Sequence, residues 1–386
     1  MKKIKAGIIG SGFMGTAHAE ALQRIGGVEI VGVSSNDDKS LKEITSKYDI
    51  EKKYNEWKDL IEDNDIHVVH NCTPNHLHFE INKAVIKAGK HIISEKPLTV
   101  NSKQSQQLMN LLKINNVVNA INFNYRFYPL IQHVKNENEA GKLGEIYYVH
   151  GHYLQDWLYY NTDYNWRLET ELSGESRAVA DIGSHWCDMI QFITGQKIVK
   201  VFSNLITIHK TRMKPAAKSA TFKGKELKPS KNISEVSVRT EDAGTVLFEL
   251  EGGIHGVFTV SQVSAGRKNN FRFEIDGSKK AIAWDQENPN ELWIGYREKA
   301  NEILIKDPSL LNAKARAYAH YPGGHPEGYP DGPKNLFNNV YDFIRKGKDP
   351  QKDKTDFPTF ADGHYENKII EAVLKSSISK EWVKVK

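Results

Sequence analysis

The stretch that most limits what this chain can become is Ile4–Leu22. An apolar run (Ile4, Ala6, Ile8, Ile9) stops at Gly10-Ser11-Gly12-Phe13-Met14-Gly15, and a helix-compatible segment follows. The pattern reads as a buried strand, a tight glycine turn and a helix start. Gly10 permits the turn, Gly12 lets a pyrophosphate approach the backbone, and Gly15 lets the helix pack close to the strand. The phosphates would sit at the helix N-terminus, where unpaired N–H groups and the helix dipole favour negative charge. Gly10, Gly12, Phe13 and Met14 are therefore candidate cofactor contacts. A glycine-rich turn alone is a weak signal. Set between a strand and a helix at the tenth residue, it points to a dinucleotide.

The rest of the chain divides by its grammar. Apolar strands read at Ile4–Gly10, Val28–Ser34, His67–Thr73, His91–Glu95 and Val117–Phe123, with helical patterns between them. Such alternation implies right-handed crossovers and a doubly wound parallel sheet, whose ligands bind beyond the carboxyl ends of the strands. From Tyr125 the strands come in close succession (Val199–His209, Val236–Thr240, Gly244–Glu251, Gly253–Gln262 and three more to Gly295), with a hairpin at Glu251-Gly252-Gly253. That predicts a large, open, predominantly antiparallel sheet. The fold class is α/β, with a Rossmann domain over 1–124 and a substrate-binding and oligomerisation domain over 125–386, whose C-terminal helix is expected to pack back near the domain junction. A length of 386 residues suits two domains.

Charge and cysteine content narrow the partners. The 53 basic and 48 acidic residues are scattered, and lysines such as those of Lys223–Lys231 form no nucleic-acid motif, so no nucleic acid is expected. The polar stretch Arg212–Asn232 reads as an exposed insertion. Cys72 and Cys187 sit in apolar settings, as thiols do in a reducing compartment. The apolar run after MKKIK is too short for an export signal, and no stretch approaches the length of a membrane span. A cytoplasmic protein without a membrane partner is the expectation.

Candidate site residues gather at strand ends. Twenty residues beyond Gly15 lies Ser35, where a carboxylate usually binds the adenosine ribose. Asn36 or Asp37 could take that role, which favours NAD. A neutral Ser35 leaves NADP as the alternative, although no arginine is adjacent to bind a 2′-phosphate. Thr73, Pro74, Asn75 and His78 form the turn and helix entry after the third strand and are read as packing against the cofactor. Pro97 restricts Lys96 to extended geometry and is a candidate for a cis bond. Lys96, after Glu95 at the end of a buried parallel strand, points into the cleft. Asp181 and His185 are four apart at a helix start and share a face, so the carboxylate can orient the imidazole and raise its basicity. A metal at His76 and His78, or at Asp181, His185 and Asp188, is not expected, and Asp188 reads as a helix-surface residue.

With these residues in hand, the chain resembles the glucose–fructose oxidoreductase / inositol dehydrogenase / rhizopine catabolism (Gfo/Idh/MocA) family. The resemblance rests on the glycine turn, CTPNHLH, AGKHIISEKPL (Ala88–Leu98), FNYRFYP (Phe123–Pro129), GKLGEIYYVHG (Gly141–Gly151), DIGSHWCDM (Asp181–Met189) and FADGHYENKIIEAVLKS (Phe360–Ser376). Gln155-Asp156-Trp157, Tyr164-Asn165-Trp166-Arg167 and Tyr321–Tyr329 are similar to the levoglucosan and glucoside 3-dehydrogenase branch. The resemblance implies an NAD-dependent oxidoreductase acting on a sugar or polyol, assembled as a homodimer or homotetramer through the C-terminal sheet. It assigns catalysis to Lys96, Asp181 and His185: His185 as base, Lys96 as hydrogen-bond donor to the reacting oxygen, and Asp181 on an adjacent hydroxyl. Asn124 and Glu95 would join the cofactor site. Arg126, Asp156, Trp166, Arg167 and His325 would line the sugar pocket, with Glu327 beside His325. The alternatives are an inositol or amino-sugar dehydrogenase and a non-catalytic dinucleotide-binding, sugar-sensing regulator.

Overall fold

The computed structural model describes residues 3–215 and 233–386. Most of the lysine-rich stretch Arg212–Asn232 therefore lies outside the described residues. The chain forms two units, Met1–Asn124 with Tyr329–Asn367, and Tyr125–Gly328 with Lys368–Lys386.

The first unit is built on six parallel strands: β1 (Ile4–Ile9), β2 (Val28–Ser34), β3 (Lys52–Tyr54), β4 (Val68–Asn71), β5 (His91–Ser94) and β6 (Asn119–Ile121). Their order is β3-β2-β1-β4-β5-β6. β1 pairs with β2 on one side and β4 on the other, so the winding reverses at its carboxyl end, the place where such sheets bind ligands. Ala6, Ile8 and Ile9 are buried because helices cover both faces. β3 and the helix Trp57–Glu62, absent from the sequence expectation, are too short for a periodic signal.

The domain expectation placed everything after residue 124 in the second half. Tyr329–Asn367 instead belongs to the first unit, and the reason is a buried polar surface that needs a cover. The helix Asp331–Arg345 lays Phe337 against the rings of His18 and His70, 4.6 and 5.0 Å away, and hydrogen-bonds Tyr341 Oη to His70 Nε2 at 3.0 Å. Arg24 pairs with Asp331 at its start.

In the second unit nine strands form one sheet: β7 (Ile146–Leu154), β8 (Ile198–Ile206), β11 (Ala243–Leu250), β12 (His255–Ser261), β13 (Asn270–Gly277), β14 (Ala281–Asp285), β15 (Glu291–Gly295), β16 (Glu302–Ile305) and β17 (Val383–Lys384). The order is β16-β15-β14-β13-β7-β12-β11-β8-β17, with only β7 and β12 parallel. Residues directly opposite one another share a face. One row runs Val246–Phe258–Gly151–Phe273–Trp284–Leu292. All but Gly151 are buried, and the helix Ser184–Thr194 covers this face, Trp186 stacking on Phe258 at 4.7 Å. Gly151 is required there, since a Cβ would lie 2.1 Å from the Arg272 carbonyl oxygen. The neighbouring row, Phe202–Leu247–Val257–His150–Glu274–Ala283–Trp293–Ile303, faces the other way, with Leu247 and Ile303 exposed.

β9 (Thr211–Pro215) and β10 (Ile233–Ser237) pair as a separate two-stranded ribbon flanking the undescribed residues. The expected strand Val236–Thr240 is thus displaced toward the N-terminus. Among the described residues, no helix is long and apolar enough to cross a membrane.

Candidate functional site

The glycine turn assigns each glycine a different physical task. Gly10 has φ +104°, and a Cβ there would meet the Cys72 carbonyl oxygen at 2.6 Å. At Gly15 a Cβ would lie 1.9 Å from the Gly10 oxygen. At Gly12 it would meet nothing within 4 Å. The protein needs the first and third for its own packing, whereas the second faces open space, which leaves room for a ligand to approach the backbone. The helix Phe13–Gln23 begins beside it with no side-chain cap and no acidic residue in its first turn, an anion-receptive end.

Where a ribose carboxylate is usual, three hydroxyls meet. Ser11 Oγ lies 2.6 Å from Ser35 Oγ and 2.5 Å from Ser40 Oγ. Asp37, the sequence candidate for the ribose, caps the next helix by accepting from the Lys39 and Ser40 amides. Asn36 is exposed beside it. After β4, Thr73 Oγ1 donates to Asn71 Oδ1 at 2.7 Å, and both ring nitrogens of His78 face carbonyls, Pro97 at 2.7 Å and Thr73 at 2.8 Å. His78 braces one strand-end turn against the next. Pro74 and Asn75 open the helix Asn75–Lys87 as its cap and first residue.

Lys96 follows β5 half-buried, and its bond to Pro97 is cis. Its neighbour Glu95 ends a buried polar chain. Tyr341, His70, His18 and Glu95 are linked in turn by contacts of 3.0, 2.9 and 2.9 Å, and Asn122 donates to Glu95 at 2.5 Å. Burial alone would raise the Glu95 carboxyl. The hydrogen bonds and charge of His18, the Asn122 amide and the charge of Lys96 overcome that and bring it down to about 2. Burial, reinforced by His18, pushes the His70 imidazole well below its ordinary range. Lys96 therefore follows a carboxylate fixed in place and kept ionised. Asn124 closes this unit, buried, its Oδ1 without a partner among the described residues.

The second unit holds Asp181 in a π-helical turn, Val179–Gly183, that runs into the helix Ser184–Thr194 carrying His185. The sequence suggested a regular helix start; the wider turn is a feature often found at functional sites. Asp181 Oδ2 accepts from Gln262 Nε2 at 2.9 Å, and its Oδ1 lies 3.4 Å from Arg167 Nε. Arg167 in turn stacks on the Trp166 ring at 4.4 Å. The buried His185 ring sits edge-on to Tyr125, 4.9 Å away. Tyr125, Tyr153 and Asn269 close a ring of hydrogen bonds of 2.8, 2.6 and 2.9 Å. Burial raises the Tyr125 phenol above its ordinary range, and this hydrogen-bonded ring packs against His185.

Four of the residues expected in the sugar pocket keep other company. Arg126 engages Asp188 through two nitrogens, Nε at 2.8 Å, and stacks on Phe192. Asp188 is thus buried beside its counter-ion and not on the helix surface, because this helix is covered on both sides. Asp156 accepts from Lys268 at 2.6 Å and the Gly266 amide at 3.1 Å. His325 is exposed, 3.2 Å from the Gly323 carbonyl of its own loop. Glu327, expected beside it in a sugar pocket, is buried and bound to Lys306 at 2.8 Å, as a buried carboxylate requires. Gln262, Arg177 and Asp242, which shape Asp181, escaped the sequence reading: they are far apart in the chain and match no motif.

Comparison with known proteins adds to this geometry. Residues 4–123 match the model of the oxidoreductase family with an NAD-binding Rossmann fold, and residues 131–283 match the GFO/IDH/MocA C-terminal domain. A levoglucosan dehydrogenase from Pseudarthrobacter phenanthrenivorans is 29% identical over 100% of this chain and 99% of its own length. Among solved structures, an oxidoreductase domain protein from Kribbella flavida is 30% identical with a TM-score of 0.89, over 100% of both chains. A levoglucosan dehydrogenase in complex with NADH and levoglucosan is 27% identical with a TM-score of 0.87, again over 100% of both.

Proposed function

Because the chain belongs to the GFO/IDH/MocA oxidoreductase family, and so carries an NAD-binding Rossmann domain and acts on CH–OH groups, we propose that its substrate is a secondary alcohol of a pyranose, glucoside or anhydrosugar. The observation that carries this reading is the Asp181 carboxylate, fixed between an amide and a guanidinium one helical turn before a buried imidazole. Fixed acceptors and donors beside an indole suit a hydroxyl-rich ring with an apolar face. The end-to-end likeness to levoglucosan dehydrogenase supports the same class.

When bound, the nicotinamide accepts or returns the hydride. The chain's own groups manage the hydroxyl. His185 takes its proton through one ring nitrogen, with Tyr125 holding the ring upright. Lys96 donates to the oxygen and offsets its developing negative charge. Asp181 accepts from an adjacent hydroxyl and orients the sugar, while Arg167 and Trp166 hold its rim. Gly12, Phe13, Met14, Ser35, Asn36 and Asn124 are the cofactor contacts in this reading, and His78 shapes the loops around them. Arg126 and Asp156 serve as braces behind the pocket. A homodimer or homotetramer through the outer face of the nine-stranded sheet belongs to the reading too, supported by exposed Leu247, Ile303 and Ile305. A reducing, cytoplasmic setting is kept with it, supported by two cysteines that are both thiols.

The test is NADH absorbance on incubation with NAD and a panel of levoglucosan, methyl glucosides, glucose and inositols. Levoglucosan or a glucoside should reduce NAD, and NMR of the product identifies the oxidised carbon. Turnover of inositols alone would replace the substrate class. Tight NADH binding with no turnover of any compound would replace catalysis by sensing.

A further inference from the structure

Asp181 owes its orientation to a residue remote in sequence. Gln262, directly after β12, is fully buried, and its side chain bridges two groups: Oε1 lies 3.2 Å from Arg177 Nη1, and Nε2 lies 2.9 Å from Asp181 Oδ2. A guanidinium only donates and a carboxylate only accepts. The amide can therefore lie one way round, with its oxygen to Arg177 and its nitrogen to Asp181.

Arg177 itself has nowhere to move. Its side chain is fully buried; Nη2 pairs with Asp242, and Nε donates to Thr240 Oγ1 at 3.2 Å. Its backbone amide donates to Glu241 at 3.0 Å. Asp242 Oδ1, the oxygen that Arg177 holds, is shared with Arg212 Nη2 at 2.7 Å, and Oδ2 accepts from the Ile208 and His209 amides at 2.7 and 2.9 Å. Arg212 belongs to β9, at the edge of the insertion, and also donates to the carbonyls of Tyr160 and Asp163 in the segment leading to Trp166 and Arg167.

We propose that Gln262, set by Arg177, is the positioning residue for Asp181, transmitting the direction of a buried guanidinium without transmitting its charge. Asp181 Oδ1 already lies 3.4 Å from Arg167 Nε, so a direct contact from Arg177 would put a second guanidinium on the same carboxylate. A neutral amide fixes one oxygen and leaves acceptor sites for a substrate hydroxyl. The inference rests on the role given to Asp181 above.

The discriminating variant is Gln262→Glu, similar in size but carrying a carboxyl that would face Asp181. The other groups around the pair are Arg167, Tyr125, His185 one helical turn along from Asp181 and, behind Arg177, Asp242, Arg212 and the Glu241 carboxyl, which burial pushes up. Two apposed carboxylates repel when both are ionised and share a proton when the pH falls. In the Gln262→Glu enzyme kcat/KM should drop at least about tenfold at neutral pH, and its ratio to wild type should rise as pH falls toward about 5, because the shared proton restores the donor. Gln262→Met should lose a similar factor at every pH. Turnover is read with levoglucosan or the panel compound that proves active, alongside NADH binding and thermal melts.

Asp181→Asn serves as the reference. If it is impaired while folded Gln262→Glu and Gln262→Met match wild type across pH, the positioning role is overturned and the catalytic reading stands. Parallel, pH-independent losses in both that track lower melting temperatures would reduce Gln262 to a structural residue and overturn it as well. A fully active Asp181→Asn enzyme overturns both.

Discussion

At Lys96 and His185 the expectation is kinetic. Replacing either by Ala should lower kcat by about 10²–10⁴ while NADH binding, followed by fluorescence, is retained. Arg126 should behave differently, because its fork is taken by Asp188 within the unit's interior. Removing one partner of a buried ion pair costs about 3–5 kcal/mol, so Arg126→Ala should be seen first in denaturant unfolding. A large rise in KM at unchanged stability would return Arg126 to the substrate. Glu95 carries a pH signature. Its carboxyl is held at about 2 in the folded protein against an ordinary 4.5, so its contribution is complete above 4.5 and fades as pH falls toward 2. The stability gap between wild type and Glu95→Gln should narrow over that window, by at most about 1.4 kcal/mol per pH unit. A gap that stays constant on acidification would mean that Glu95 is not held ionised by His18.

At the scale of elements, the glycine turn was legible because each of its constraints is local: a positive φ at Gly10, a close contact at Gly15. The two remaining roles can be separated by experiment. Gly15→Ala should disrupt the turn and lower the melting temperature sharply. Gly12→Ala should keep stability within about 0.5 kcal/mol yet weaken NADH binding by at least about tenfold, read by titration and thermal melt. Equal effects on both would mean that Gly12 serves packing and not phosphate approach. The longer strands of both sheets were legible for a similar reason, since buried apolar runs and alternation are periodic, whereas the short β3, β16 and β17 left no such signal. Less was visible of the site's supports. Asp188 looked like a surface residue because its partner Arg126 lies sixty-two positions away, and Glu327 looked available because Lys306 carries no motif. Pairings across long sequence separation leave no periodic trace, so buried charges were the residues most often misjudged.

At the scale of the molecule, the nine-stranded sheet has one face filled with aromatics and one that carries Leu247, Val257, Trp293 and Ile303 outward. Charges placed there, as in Leu247→Glu with Ile303→Lys, should convert an oligomer to a monomer in light scattering without lowering the NADH affinity of each chain. An unchanged mass would assign assembly to another surface. The other large-scale feature is the return of Tyr329–Asn367 to the first unit. On the ribosome, the nucleotide-binding strands are finished early, yet the helix that shields His18 and His70 emerges close to the end of synthesis. The first-born half thus matures last. A gene cut after residue 124 would yield an incomplete module, and exchange of cofactor halves between relatives would have to carry both pieces together.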